Sequence, residues 1–121
     1  MGENRIKLVA ADMDGTLLNR ERKITKYTQD VIKKAMAQGV YFVPATGRAV
    51  NALPPELKGM EGIRYGIFSN GATIYDLKEE KVIYKNHFEM DRVLELMDFL
   101  KQFDLMASIS LNGHSYACLL Y

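Results

Sequence analysis

Apolar and polar positions along the first forty residues predict a strand, a loop and an amphipathic helix. Residues 6–12 are almost all apolar, which predicts a strand buried on both faces of a parallel sheet. Residues 15–24 lack a helical period and are expected to form a turn or short flap. Thr25 can cap a helix that runs to Gln38, and Gly39 can end it. The expected apolar side of this helix consists of Tyr27, Val31, Ile32, Ala35 and Met36.

The pattern continues as an α/β fold. Residues 40–45 predict a second strand, and the first strand, helix and second strand form one βαβ unit with a right-handed crossover. A shorter helix is expected over residues 49–57, with its end disturbed by Pro54 and Pro55. Residues 65–69 predict a third strand, and Asn70-Gly71 is a turn signal.

Two hairpins and one more helix are expected in the rest of the chain. Residues 73–75 and 81–84 alternate around a charged segment, which indicates a β-hairpin. Residues 90–103 predict a helix, and Asn112-Gly113 predicts a tight hairpin turn between residues 105–111 and 115–121. The expected apolar stripe of the helix consists of Val93, Leu94, Met97, Leu100 and Phe103.

Composition narrows the possible functions. A net charge of +1 over 121 residues gives no electrostatic basis for binding nucleic acid. The single cysteine, Cys118, is expected to be a buried apolar residue, and it excludes an internal disulfide framework. The polar N-terminal residues and the short apolar run after them predict neither a signal peptide nor a membrane span, so we expect a cytoplasmic protein. His87 and His114 lack partners at metal-ligand spacing.

Asp12 and Asp14 are the most informative residues for function. Side chains two positions apart on an extended chain point the same way, and Gly15 then lets the backbone turn. Ligands of open α/β sheets bind beyond the carboxyl ends of the strands, where these carboxylates lie. The pair can hold Mg²⁺, or divide the roles of nucleophile and general acid, or be a solvated turn. An EF-hand does not fit, since Leu17 stands where its loop needs glycine.

Two further segments end strands at the same edge. Thr46, Gly47 and Arg48 supply a hydroxyl, a flexible backbone N–H and a guanidinium, which are donors suited to phosphate. Each also has a structural explanation: a helix cap, a steric requirement or a surface charge. Ser69-Asn70-Gly71 ends the third strand and can be either part of the site or a plain turn.

Three motifs resemble those of a known family. Residues 12–17, Asp-Met-Asp-Gly-Thr-Leu, are similar to the first signature of the haloacid dehalogenase-like phosphohydrolases. Residues 45–48, Ala-Thr-Gly-Arg, and residues 69–72, Ser-Asn-Gly-Ala, resemble stretches of its Cof-type subgroup, often sugar-phosphate phosphatases. The resemblance covers residues 5–121 and implies a Rossmann-like core with a parallel sheet.

The resemblance implies a role for each matching residue. Asp12 would attack phosphorus and form an aspartyl-phosphate, and Asp14 would serve as general acid and then general base. Mg²⁺ would be held by the Asp12 carboxylate and the Asp14 backbone carbonyl. Phosphoryl oxygens would contact Thr46 and the backbone N–H groups of Met13, Asp14 and Gly47. Arg48, Asn70 and Gly71 would contact a small phosphorylated substrate or order the site.

The resemblance also implies a division of the chain and a missing part. Residues 1–84 would be the first half of the core, and residues 85–121 would begin an α/β cap. The family's lysine and second acidic pair follow that cap, and no residue here matches them; Lys101 lies in the expected cap helix. The first strand would then be an exposed apolar edge. We therefore expect either a longer enzyme or a chain that self-associates.

Three functions remain open at this point. The first is a Mg²⁺-dependent phosphatase of small metabolites, to which this chain contributes the N-terminal part. The second is an inactive fragment or phosphate-binding module. The third is a phosphomutase, which would pass the phosphoryl group from the same aspartate to a second hydroxyl.

Overall fold

The computed structural model describes residues 5–119, with side chains described through residue 117. Residues 1–4, the expected end of the last strand at 120–121 and the expected burial of Cys118 lie outside this description. The fold consists of a five-stranded sheet and a separate two-stranded sheet, with three helices. The expected α/β class is confirmed.

The larger sheet follows chain order. Its strands are β1 (Leu8–Asp12), β2 (Tyr41–Ala45), β3 (Tyr65–Phe68), β4 (Thr73–Asp76) and β5 (Lys81–Lys85). The first three strands are parallel, whereas β4 and β5 add to β3 in antiparallel fashion. The parallel strands therefore end together, and the expected hairpin extends their sheet.

Strand β1 lies at the edge of this sheet rather than between two strands. The burial expected on both of its faces is therefore wrong for this chain. Leu8 is 53% exposed and Val9 is 39% exposed, and β2 is the sole strand paired with β1 among the described residues. The exposed apolar edge, which the resemblance implied, is confirmed.

Helix α1 (Lys26–Ala37) forms as expected. The Thr25 side chain accepts a hydrogen bond from the Thr28 N–H, and Gly39 has a φ of +83° just beyond the helix. Ile32 is buried against the core, but Tyr27 is 79% exposed and Val31 is 46% exposed, so their expected place on the buried side of the helix is wrong. The core covers a narrower side of the helix than its apolar residues occupy.

The helix expected over residues 49–57 is broken into two pieces. A single turn at Val50–Ala52 is followed by α2 (Pro55–Lys58). Leu53 and Pro54 are extended between them, because a residue before proline is disfavoured in the helical region. Leu53 and Leu57 still reach the core.

One apolar cluster holds this part of the chain together. It joins the loop between β1 and α1 to helix α1, to strands β2 and β3, and to the segment around α2. Its buried members are Met13, Leu18, Ile24, Ile32, Phe42, Leu53, Leu57, Met60, Ile63 and Phe68. Met13, the residue directly after β1, is fully buried and fixes where the chain turns.

The last part of the chain is a helix and a hairpin. Helix α3 (Met90–Leu100) ends three residues earlier than expected, and β6 (Met106–Leu111) pairs with β7 (His114–Leu119) around Asn112-Gly113. Both turn residues have positive φ, as the Asn-Gly signal requires. Val93, Met97 and Leu100 are half-buried, whereas Leu94 and Phe103 are largely exposed. No helix within residues 5–119 has the length and apolar character needed to cross a membrane.

Candidate active site

The carboxyl ends of the parallel strands place three loops side by side. Asp12, the last residue of β1, is in register with Ala45, the last residue of β2, and Ala45 is in register with Ile67 on β3. The segments that begin at Met13, Thr46 and Ser69 therefore leave the sheet at one edge. This is the edge at which open α/β sheets bind ligands.

The turn after β1 presents both carboxylates to solvent. Gly15 has a φ of +78°, and the Leu18 N–H donates to the Met13 carbonyl at 2.9 Å, which closes the turn. The buried Met13 side chain anchors the turn to the core while Asp12 and Asp14 remain exposed. The Thr16 hydroxyl donates to Asp12 Oδ2 over a long 3.4 Å.

The second loop is fixed to its neighbours through its backbone. The Thr46 N–H donates to the Ile67 carbonyl at 2.9 Å, and the Thr46 hydroxyl oxygen accepts from the Arg48 N–H at 3.1 Å. Thr46 is 6% exposed, so its hydroxyl is held in one place. That hydroxyl keeps its own proton available for an anion at the strand ends.

The third loop packs directly on the second. The Asn70 N–H donates to the Thr46 carbonyl at 3.2 Å, and the Ser69 N–H donates to the Arg48 carbonyl at 3.0 Å. A Cβ atom on Gly47 would lie 2.8 Å from Asn70 Oδ1. Position 47 therefore requires glycine for the Asn70 side chain to keep this place.

Arg48 binds Asp14 with a two-pronged ion pair. Arg48 Nε donates to Asp14 Oδ2 at 2.9 Å, and Nη2 donates to Oδ1 at 2.6 Å. These hydrogen bonds lower the pKa of Asp14 below its ordinary value, with a smaller contribution from the charge of Arg22. Asp14 is therefore a carboxylate at neutral pH in the free chain. The Asp12 carboxylate is not part of this ion pair.

The two aspartates differ as candidate metal ligands. The Asp12 carboxylate is exposed, and its type suits Mg²⁺, which binds one or two carboxylates and fills its other positions with water and phosphate. The Asp14 side chain is engaged by Arg48, which leaves its backbone carbonyl as the candidate ligand. Within residues 5–119 there is no group of three His, Cys, Asp or Glu side chains that could hold a metal. The donors fit part of a Mg²⁺ site.

The structure brings most of the expected site residues together. Hydrogen bonds and register join Asp12, Asp14, Thr46, Gly47, Arg48 and Asn70 at one sheet edge. Gly71 follows Asn70 with a φ of +90°, and a Cβ there would meet open space, so it shapes the loop without a contact of its own.

Two contacts near this edge were not apparent from the sequence. Arg48 Nη1 donates to the Ala52 carbonyl at 3.3 Å, a contact that no sequence motif predicts. His87, to which the sequence gave no role, lies 3.1 Å from the buried Thr73 hydroxyl through Nε2 and ties the segment after β5 to β4.

Two grooves among the described residues lie away from this edge. Two grooves of about 580 and 540 Å³ share Met60, Glu61 and Gly62 and extend to α1 and to Tyr41 at the start of β2. That end of the parallel strands is opposite Asp12 and Thr46. Neither of these two grooves is lined by residues of the three loops at the carboxyl edge.

Comparisons with known proteins agree with this geometry. A family model described as haloacid dehalogenase-like hydrolase matches residues 9–118. A Buchnera aphidicola protein (subsp. Schizaphis graminum), provisionally named a phosphatase, is 38% identical over 112 residues, which cover 91% of this chain and 40% of that protein. The 5-amino-6-(5-phospho-D-ribitylamino)uracil phosphatase YcsE of Bacillus subtilis is 37% identical over 89 residues, or 70% of this chain and 36% of YcsE.

A solved structure shows the same fold. The HAD subclass IIB sugar phosphatase BT4131 superposes with a TM-score of 0.75 at 28% identity, covering 93% of this chain and 44% of that one. The chain thus spans less than half the length of each of these three proteins.

Proposed function

Because the chain belongs to the haloacid dehalogenase-like hydrolase family, we propose that it contributes the N-terminal part of a Mg²⁺-dependent phosphatase. The substrates would be small phosphorylated metabolites such as sugar phosphates. The observation that carries the proposal is the convergence of Asp12, Asp14, Thr46 and Arg48 at the carboxyl edge of the parallel strands.

The proposed reaction has two steps, and Asp12 is the nucleophile. A carboxylate oxygen of Asp12 attacks phosphorus and the bond from phosphorus to the alcohol oxygen breaks. Asp14, which must enter this step protonated although Arg48 favours its carboxylate, gives its proton to that oxygen. Asp14 then takes a proton from water, which attacks the aspartyl-phosphate and releases inorganic phosphate and free Asp12. The exposed Asp12 carboxylate supports the first step, and the Asp14 carboxylate favoured by Arg48 supports the second.

The transferred phosphoryl group would contact groups on the first two loops at this edge. The Thr46 hydroxyl and the N–H groups of Met13, Asp14 and Gly47 would donate to its oxygens. Phosphoryl transfer depends mainly on positioning and charge stabilisation, so donors fixed by the backbone are effective. Arg48, Asn70 and Gly71 would contact the substrate or order the loops.

A bound Mg²⁺ would neutralise negative charge on the phosphoryl oxygens and on Asp12. The ligands from this chain would be the Asp12 carboxylate and the Asp14 backbone carbonyl. Water and phosphate oxygens would fill most of its other positions. The second acidic pair, which the family carries after its cap, would complete the protein ligands.

The relatives and the composition indicate a substrate class and a location. The names of YcsE and BT4131 describe phosphatases of a phosphorylated metabolite and of sugars, which favours a small phosphorylated substrate here. A single cysteine among 121 residues is compatible with the cytoplasm, where we place the protein.

Phosphate release tests the proposal. Sugar phosphates and para-nitrophenyl phosphate would be incubated with the chain, and with a longer product of the same gene where one exists, in Mg²⁺ or in EDTA. We expect phosphate release that requires Mg²⁺ and is lost in Asp12→Asn. Isomerised sugar phosphate without phosphate release would identify a phosphomutase instead. Phosphate binding without turnover in every form would identify a binding module and overturn the phosphatase proposal.

A further inference from the structure

The Arg48 side chain has an acceptor for each of its guanidinium nitrogens. Nε and Nη2 hold Asp14, and Nη1 donates to the Ala52 carbonyl at 3.3 Å. Arg48 therefore connects the carboxylate of the first loop to the single turn at Val50–Ala52. The guanidinium is rigid and planar, so a shift of the Ala52 carbonyl moves the Nε and Nη2 atoms that bind Asp14.

The third contact matters because the ion pair alone is weakly constrained. The Arg48 side chain is 28% exposed and the Asp14 side chain is 55% exposed. Exposed ion pairs have small net stability and move among several arrangements. Anchoring Nη1 on a backbone carbonyl removes part of that freedom, so the position of Asp14 depends on the position of the turn.

The turn at Val50–Ala52 touches the tip of the distant β6–β7 hairpin. The Asn51 N–H donates to the Gly113 carbonyl at 3.3 Å. A Cβ on Gly113 would lie 3.3 Å from both Cβ and Cγ2 of Val50, so the backbone of the tip rests against this side chain. These contacts link the two sheets of the molecule close to the carboxyl edge.

We propose that the tip of the β6–β7 hairpin positions the Asp14 carboxylate through the Val50–Ala52 turn and Arg48. The inference rests on the proposed function, in which Asp14 is the general acid and base. Arg48 is then a positioning residue for Asp14, and Gly113 acts on the same carboxylate from the other sheet.

Gly113→Ala disturbs this chain of contacts, and Gly39→Ala is its matched control. Both glycines have left-handed backbone, with φ of +79° at Gly113 and +83° at Gly39, so alanine suffers similar backbone strain at each. At Gly113 the new methyl group presses on Val50, whereas at Gly39 it meets open space. Val50→Ala removes part of the contact from the other side, without the strain of a left-handed alanine.

The first readout is independent of turnover. In the ¹⁵N-labelled chain, the Arg48 Nε–H signal is assigned by its loss in Arg48→Lys, and amide exchange of Asn51 reports the hairpin contact. We expect faster Asn51 exchange in Gly113→Ala and Val50→Ala, together with an Arg48 signal that moves towards that of free arginine. Gly39→Ala should leave both unchanged. An unchanged Arg48 signal despite faster Asn51 exchange, or an unchanged Asn51 rate in both variants, would overturn the inference.

The second readout separates this inference from the proposed function. With para-nitrophenyl phosphate, Gly113→Ala should lower kcat roughly 10-fold with little change in KM, because misplacing a catalytic group affects the chemical step. Gly39→Ala should keep the original kcat. An equal fall in both variants would contradict the inference. If neither the unmodified chain nor a longer product of the same gene releases phosphate, the proposed function fails, and the Arg48 signal alone decides the coupling.

Discussion

At the scale of single residues, two aspartates two positions apart have different surroundings. Asp14 is bound by Arg48 through two hydrogen bonds, whereas Asp12 receives one long hydrogen bond from Thr16. Different environments are how paired carboxylates take different roles. The exposed and uncommitted Asp12 suits a nucleophile, and the oriented Asp14 suits proton transfer.

The sequence predicted these residues better than their contacts. Strand periodicity and the βαβ order were sufficient to bring Asp12, Asp14 and Thr46 to one edge, because parallel strands end together. The pair of Arg48 and Asp14 was not predictable, since it joins side chains 34 positions apart and depends on the Ala52 carbonyl. Backbone acceptors carry no residue-type signal, so a sequence pattern does not reveal them.

Asp76 provides a residue-scale prediction about stability. It is 2% exposed and accepts hydrogen bonds from the N–H groups of Glu79 and Lys78 and from Arg64. These hydrogen bonds, the Glu79 N–H most of all, lower the pKa of Asp76 in the folded chain. Its stabilisation is therefore complete above the unfolded pKa, about 3.9, and is lost as pH falls through the lower folded pKa.

Asp76→Asn should destabilise the fold at neutral pH, because its amide would set N–H donors against Arg64. It should also reduce the further loss of stability below about pH 4. Asp30→Asn is the control, since Asp30 is 46% exposed in its pair with Lys26. Urea unfolding at neutral and acidic pH checks both expectations. Equal midpoints for the two variants would show that burial of Asp76 does not matter.

At the scale of elements, local signals placed most helices and strands, and tertiary packing decided their exposure. Three local predictions are confirmed: Thr25 caps α1, Gly39 follows the end of α1, and Asn112-Gly113 forms a hairpin turn. Caps and tight turns depend on local chemistry, which a sequence shows. The broken helix around Pro54 reflects proline geometry that outweighs an apolar pattern. Tyr27 is 79% exposed although it fits the helical stripe, because periodicity does not show how wide a face the core covers.

The exposed edge of β1 gives an element-scale prediction about self-association. Both edges of the large sheet are open among the described residues, but β5 begins and ends with lysine and pairs with β4 through an irregular register. Charges and irregular register protect edges from pairing, whereas β1 carries Leu8, Val9 and Ala10. We propose that chains of this length associate through β1.

Val9→Lys should weaken that association, and Val82→Lys on β5 should not. The two valines are matched, at 39% and 41% exposed. Sedimentation velocity of the original chain and both variants over a range of concentrations measures the effect. A monomeric original chain, or equal effects of the two lysines, would contradict association through β1.

At the scale of the whole molecule, the chain carries the three loops of the candidate site. It spans less than half the length of the three relatives compared above. Asp12 is the last residue of β1, which is also an open apolar edge strand of the large sheet, so the site lies at one end of that strand. Completion of the Mg²⁺ site and coverage of β1 are therefore expected from the same source, either a longer chain or a second copy. The expected division into residues 1–84 and 85–121 stays a prediction. The large sheet ends with β5 at Lys85, and the small sheet consists of β6 and β7.

The most direct test of the central claim is detection of the covalent phosphoenzyme. The longest product of the gene that contains this chain, with Mg²⁺ and para-nitrophenyl phosphate, would be quenched in acid and its peptides examined by mass spectrometry, beside Asp12→Asn and the exposed control Asp30→Asn. We expect one phosphoryl group on the peptide that contains Asp12, absent in Asp12→Asn and retained in Asp30→Asn. Phosphate release without an adduct on Asp12, together with full turnover by Asp12→Asn, would show that this residue is not the nucleophile.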